Sequence, residues 1–394
     1  MVLQFKDIDF NKIIATDLWV INNKEQNQFG KNLLSYFFLM RCFLRLIYRS
    51  FFSYPNIKTN EQKNFQIFYI RTNTRPDLAN HSNFYENING TTVCILSERK
   101  RKIDIFNFFK IIFFLFKKFR FWYFGLKKNN LSLFSIKGFY IFLIFLESLS
   151  DVIKIIPIFK KHKKLVCFQE TLPTENFLCQ YANYLNINTF SLQHALGVYS
   201  IEGLYESRFP ICSYINLVSK NIMCWGTQNK KIYRSHSLSK IHVIGKPFLP
   251  NLSSNIDGVT FIFENKEFKE TNNYMLSLSE KFKNKNIQTS RWFKPSHSLL
   301  SSGIIRDGPL RKIIIGCNST LVIELGYLGF KVFVTKDSNL CKLLPDELII
   351  KDVNFFLDKE KILSNYPFEI WKDFIECSGN ESLSRYKEIL ERQI

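Results

Sequence analysis

Short apolar runs closed by turn formers recur along the chain and read as strands: Phe65–Arg71, Thr92–Leu96, Leu165–Phe168, Thr189–Leu192, Ile222–Trp225 and Ile241–Ile244 in the first half. The second half repeats the pattern at Val259–Phe263, Ile287–Phe293, Lys312–Ile315 and Lys331–Thr335. Helical periods lie between them near Thr174–Leu185, Thr271–Phe282 and from about Leu321. Strand, helix and strand in quick succession is the parallel crossover unit. The segment from Arg99 to Pro157 changes character and becomes helical, aromatic and basic, and Glu369–Gln393 reads as one closing amphipathic helix. Gly245 to Asn255 packs Gly, two Pro and several Ser and Asn together, which marks a linker. The expected architecture is α/β with two Rossmann-like domains, residues 1–245 and residues 246–394, facing each other across a cleft.

A chain of 394 residues exceeds what one core usually organises, consistent with two domains. The formal net charge of +20 calls for an anionic partner: nucleic acid, an anionic membrane surface or a phosphorylated substrate. The 41 Phe, with abundant Lys, Asn and Ile, fit the codon bias of an AT-rich genome. Nine scattered Cys without a CxxC pair fit a reducing cytoplasm. The amino terminus lacks the basic start and apolar core of a secretory signal. The longest apolar stretches, near 33–52, 106–124 and 131–149, are interrupted by Lys and Arg short of the ~20 clean residues a membrane span needs.

Candidate chemistry gathers at strand ends. The run Ile313–Ile315 leads into Gly316, Cys317, Asn318, Ser319 and Thr320, then a helix carrying Glu324 one turn on. Such a helix start offers unpaired N–H groups and a partial positive charge to a phosphate, and the same residues also read as an ordinary helix cap. Lys294 and His297 follow the strand ending at Phe293, where ligands of open parallel sheets bind. Gln193 and His194 follow the strand at Thr189; an imidazole titrating near neutrality suits a general base, and a lone His after a strand is also often structural. Glu170, after Leu165–Phe168, is a second candidate base, whereas Gly226 and Lys246 sit in turns that reach the cleft secondarily. No metal-ligand cluster, phosphate-binding loop of the P-loop type or Ser-His-Asp arrangement is visible.

Together Gln193-His194, Trp225-Gly226, Ile244-Gly245-Lys246-Pro247, the loop Lys294–Ser298 and Asn318-Ser319-Thr320 ahead of Glu324 and Gly329 resemble the bacterial GT-B-fold glycosyltransferases of capsule and lipopolysaccharide synthesis. The similarity is to the CMP-sugar-dependent sialyl-, polysialyl- and Kdo-transferases, and CDP-glycerol glycerophosphotransferases share the layout. It spans Leu165 to Thr335, and departs from the pattern at Pro295-Ser296-His297, where the family has His-Pro, and at Ala195, where it has Gly. The resemblance implies that the 294–298 and 318–320 loops hold the nucleotide of a CMP-linked sugar donor, used as substrate with no cofactor and no metal. The first domain would hold a glycan or glycolipid acceptor and supply His194 or Glu170 as base. The alternatives are glycerophosphate transfer and a non-catalytic assembly factor. Lys117 to Tyr123, alternating bases with aromatic residues, suits an anionic inner-membrane surface better than nucleic acid, and the same helices can instead fill the core. A cytoplasmic protein peripherally attached to that membrane is the expected setting.

Overall fold

The structure is a computed structural model, and it describes residues 8–22, 36–59, 67–71, 85–86, 88, 91–168, 170–193, 217–264, 269–293, 305–317, 319–357 and 363–392. Two mainly parallel sheets follow each other along the chain.

The first sheet comprises β1 (Ser53–Thr59), β2 (Ile67–Arg71), β3 (Thr91–Arg101), β4 (Lys164–Cys167), β5 (Asn188–Leu192), β6 (Asn221–Cys224) and β7 (Lys240–Val243). Its order is β1-β3-β2-β4-β5-β6-β7, with β1 alone antiparallel to its neighbour. From β2 the chain winds out to β3, then re-enters on the other side of β2 at β4 and continues to β7. The winding therefore reverses between β2 and β4. Strands buried on both faces read as apolar runs, which is why β2 and β4 are legible in the sequence.

Helices α1 (Phe10–Asn22), α2 (Tyr36–Phe52), α3 (Ile105–Lys117), α4 (Phe119–Lys128), α5 (Ile136–Phe159) and α6 (Pro173–Tyr184) pack with this sheet. Helix α5 is apolar nearly all round and is buried through most of its length, as such a sequence must be. Its buried charged residues are partnered. Arg99 grips Asp151 through two hydrogen bonds of 2.6 and 2.7 Å, Arg45 and Arg49 meet Glu147, and Lys154 donates to the carbonyls of Arg49 and Ser53. Burial lowers the Lys154 ammonium to a pKa of about 8. This network ties α2 and the overhang of the β1–β3 pair to α5. Strand β1 gave no recognisable sequence signal, since Ser53-Tyr-Pro-Asn interrupts its pattern.

The second sheet holds β8 (Val259–Phe263), β9 (Thr289–Phe293), β10 (Ile305–Asp307), β11 (Ile313–Gly316), β12 (Lys331–Thr335) and β13 (Ile349–Ile350), ordered β10-β9-β8-β11-β12-β13 with only β10 antiparallel. Here the winding reverses between β8 and β11. Its helices are α8 (Lys269–Asn284), α9 (Thr320–Tyr327) and α10 (Val353–Leu357), while α7 (Thr227–His236) belongs to the first sheet. The chain is thus α/β with two Rossmann-like units, as expected.

The closing segment departs from expectation. Instead of one helix over Glu369–Gln393, a 3-10 turn at Phe368–Asp373 and helix α11 (Gly379–Arg392) flank an extended stretch. Gly379 adopts φ +61°, a left-handed conformation that favours glycine. The stretch crosses the join between sheets: Glu376 N–H donates to Trp225 O at 3.0 Å, Lys246 N–H to Cys377 O at 2.8 Å, and Gly379 N–H to Pro247 O at 3.2 Å. Backbone bonds to a distant segment outweigh the helical period there. Helix α11 then docks Tyr386 and Leu390 into the core of the first sheet, beside Tyr69, Tyr85, Val166 and Phe190. By packing, the last helix belongs to the first sheet, although it follows the second in sequence.

Candidate functional site

Ligands of doubly wound sheets bind beyond the carboxyl ends of the strands, where the winding reverses. In the second sheet that point is the end of β8 beside the end of β11, and β11 ends in Gly316. A Cβ on Gly316 would lie 2.3 Å from Val322 Cγ2, so the glycine lets strand and helix close tightly. Ser319 caps α9, its Oγ accepting the Leu321 N–H at 3.3 Å, and it is fully buried. Thr320 follows half-buried at the first helical position. The cap expected of Ser319 is present, and the helix start it caps lies at the carboxyl end of β11, at the reversal point. Glu264, immediately after β8, is buried there with Asn272 clasping its backbone at 3.0 and 3.2 Å. Sequence reading passed over it, and its signal was only an acid directly after an apolar strand.

Glu324, expected one turn along α9 near the donor, is bonded to Lys246 Nζ. Lys246 has no exposed side-chain surface, Glu324 12%, and the ammonium sits 4.7 Å from the centre of the Trp225 ring. Lys246 lies just past β7 and Trp225 just past β6, so this ion pair joins the carboxyl edge of the first sheet to the helix of the second. Trp225 itself is packed in the second sheet's core although it ends a strand of the first. Its N–H donates to Gln193 Oε1 at 2.9 Å, and the Gln193 N–H donates to Met223 O at 2.9 Å. A continuous line therefore runs Gln193, Trp225, Lys246, Glu324. The sequence marked Gln193, Lys246 and Glu324, and placed Trp225 at a strand end leading into a turn.

Gly226 contributes closeness: a Cβ there would fall 2.3 Å from Asp373 O and 2.5 Å from Phe374 C. Around it Asn229 donates to Phe374 O at 3.2 Å and Thr227 to Asp373 Oδ1 at 3.0 Å. In this structure Gly226 and Lys246, expected as turns first and as ligand contacts only second, are packed in the join between the sheets.

Glu170 follows β4, at the reversal point of the first sheet. It is 1% exposed, and Oε1 accepts the backbone N–H groups of Val218 and Ser219, the latter at 2.9 Å. Burial pushes its carboxyl above the usual carboxylate range, while the donated hydrogen bonds pull the other way. His194, Lys294, His297 and Asn318 lie outside the described residues. Their neighbours fix where they attach: His194 follows Gln193, Lys294 follows the end of β9 next to β8, and Asn318 sits between Cys317 and Ser319.

No protein-family profile and no curated protein matches the chain. Solved structures resemble it distantly. A glycosyltransferase from Rickettsia africae is 12% identical at a TM-score of 0.40, over 84% of this chain and 99% of that one. The wall teichoic acid polymerase TagF is 10% identical at 0.41, over 91% and 98%, and a sucrose-phosphate synthase from Thermosynechococcus elongatus is 12% identical at 0.33, over 64% and 77%.

Proposed function

We propose that the chain is a glycosyltransferase that moves a sugar from a nucleotide-activated, CMP-linked donor to a glycan or glycolipid acceptor of a bacterial surface polysaccharide such as capsule or lipopolysaccharide. The observation that carries the reading is the line Gln193–Trp225–Lys246–Glu324, which couples the strand end preceding His194 to the helix whose amino terminus lies at the reversal point of the second sheet. Gln193, Lys246 and Glu324, three of the residues named from the sequence, are attached to one framework by it.

In the proposed reaction His194 takes the proton of an acceptor hydroxyl as its oxygen attacks the anomeric carbon. The bond from that carbon to the donor phosphate oxygen breaks, and the electron pair leaves with the nucleotide. Lys294, His297, the Thr320 hydroxyl and the N–H groups at the start of α9 meet the developing phosphate charge, which is where fixed dipoles contribute most. The scheme assigns no step to a metal. Glu170, whose Oε1 accepts the N–H groups of Val218 and Ser219, serves this reading as a support for the 217–219 segment.

Thermal-shift measurements with CMP, CDP, UDP and GDP test it. A ligand that binds only the folded state stabilises by RT ln(1 + [L]/Kd), about 2.7 kcal/mol at a hundredfold excess over Kd. Stabilisation by CMP above UDP and GDP is expected. A preference for CDP with turnover of CDP-glycerol would move the reaction to glycerophosphate transfer, and no response to any nucleotide would leave a non-catalytic assembly factor.

A further inference from the structure

Helix α3 turns two different faces to its surroundings. Inward, Asn107, Ile111 and Phe114 are buried, with Asn107 Nδ2 donating to Ser50 O at 3.3 Å and to Ser150 Oγ at 3.1 Å. Outward, Phe106, Phe109, Phe113 and Phe116 are 77, 61, 61 and 81% exposed. Their spacing puts all four on one stripe of the helix. Helix α4 continues the surface with exposed Phe119, Tyr123 and Phe124, the first two stacked at 5.0 Å, while its Trp122 and Leu126 point into the core. Beside α3, helix α2 exposes Met40, Leu44, Tyr48 and Phe52 at four-residue intervals. Soluble surfaces rarely gather large apolar side chains this way, and such patches mark interaction sites.

The charge around the patch says what covers it. Between residues 99 and 128 Asp104 is the single acid among Lys and Arg. Lys110 and Lys117 on α3 and Arg120, Lys127 and Lys128 on α4 are exposed, Lys102 is exposed just ahead of α3, and Lys117 sits 5.6 Å from the Phe113 ring. A partner protein would need a large apolar surface with a dense acidic rim. A bilayer with anionic headgroups supplies both at once, the headgroups for the Lys and Arg side chains and the acyl boundary for the Phe rings. Among the described residues no helix is long and apolar enough to span a bilayer.

We infer that the outward face of α3, α4 and α2 is a membrane-docking surface that seats the protein on an anionic bilayer. The buried network through Asn107, Arg99–Asp151 and Arg49–Glu147 fixes the inward faces, so the aromatic surface is presented in place. The inference stands apart from the transfer reaction and survives its failure.

Flotation of the full chain with vesicles of phosphatidylcholine, and of phosphatidylcholine mixed equally with phosphatidylglycerol, tests it, with light scattering run in parallel. The chain should float with the anionic vesicles and fall at least about tenfold on the neutral ones, because each surface Lys or Arg adds attraction to anionic lipid. Phe113→Ser with Phe116→Ser, at positions already in solvent, should reduce anionic-vesicle binding by about tenfold. Lys110→Glu with Lys117→Glu should do the same and provides a second route should the first variant misfold. The inference is overturned if the unaltered chain does not float, or if it binds both vesicle types equally. Undiminished binding by the Phe variant, with added polyuridylate displacing the chain, would make the face a general polyanion surface. Phe-dependent self-association without vesicle binding would make it a contact between copies.

Discussion

Lys246 and Glu324 form an ion pair in which the ammonium has no exposed surface, one partner leaving the first sheet at β7 and the other riding the helix after β11. Seventy-eight residues apart in sequence, they tie the two sheets together electrostatically. Removing one partner of a buried pair leaves the other without compensation, which typically costs about 3 kcal/mol or more. Glu324→Ala should therefore destabilise more than Lys246→Ala, because the stranded ammonium has no water whereas the stranded carboxylate keeps some. Urea unfolding of both variants and of Lys246→Met with Glu324→Leu checks this. Recovery of most of the loss in the double variant is expected.

Glu170→Gln separates support from catalysis. The glutamine keeps an acceptor for Val218 and Ser219 and carries no charge. Since burial raises the folded carboxyl above its ordinary value, the wild type holds its full contribution below that ordinary value and loses it as pH rises through the folded one. The variant should match the wild type in acid and grow more stable relative to it as pH rises, read as urea midpoints across pH. Turnover should persist; its loss would make Glu170 the base.

His194→Ala should abolish most transfer, by about a hundredfold or more for a missing general base, while the thermal shift with nucleotide persists. Retained turnover would remove His194 from the role.

The start of α9 can be dissected in the same way. Ser319→Ala removes a cap and should cost about 1 kcal/mol with little change in nucleotide affinity, whereas Thr320→Val should weaken the nucleotide shift at unchanged stability. Gly316→Ala should destabilise by about 1–3 kcal/mol by forcing a Cβ against Val322, and Val322→Ala should relieve part of that loss.

Tyr386→Ala tests the docking of the last helix. Tyr386 is 1% exposed and its ring lies 4.6 Å from that of Tyr85, so truncation should cost about 3–5 kcal/mol and expose the face of the first sheet it covers. Denaturant melts with an exposed-hydrophobe dye report both effects.

The sequence by itself determined the two parallel sheets, because strands such as Leu165–Cys167 and Ile313–Ile315 are buried on both faces and must be apolar without interruption. It also placed the Gly316–Thr320 turn, since glycine and a hydroxyl cap are local requirements of a tight strand-to-helix junction. What it could not determine is partnership at a distance. Nothing local to Lys246 says that its ammonium will meet Glu324 over the ring of Trp225, that Trp225 will sit in the other sheet's core, or that residues 376–379 will leave their helical period to bond Trp225, Lys246 and Pro247. The periodic pattern of α3 is equally silent on which of its apolar faces is inward. Burial of Asn107 and Ile111 against α2 and α5 decided that, and left the Phe stripe outside, because a helix apolar on two sides can bury only the side its neighbours cover.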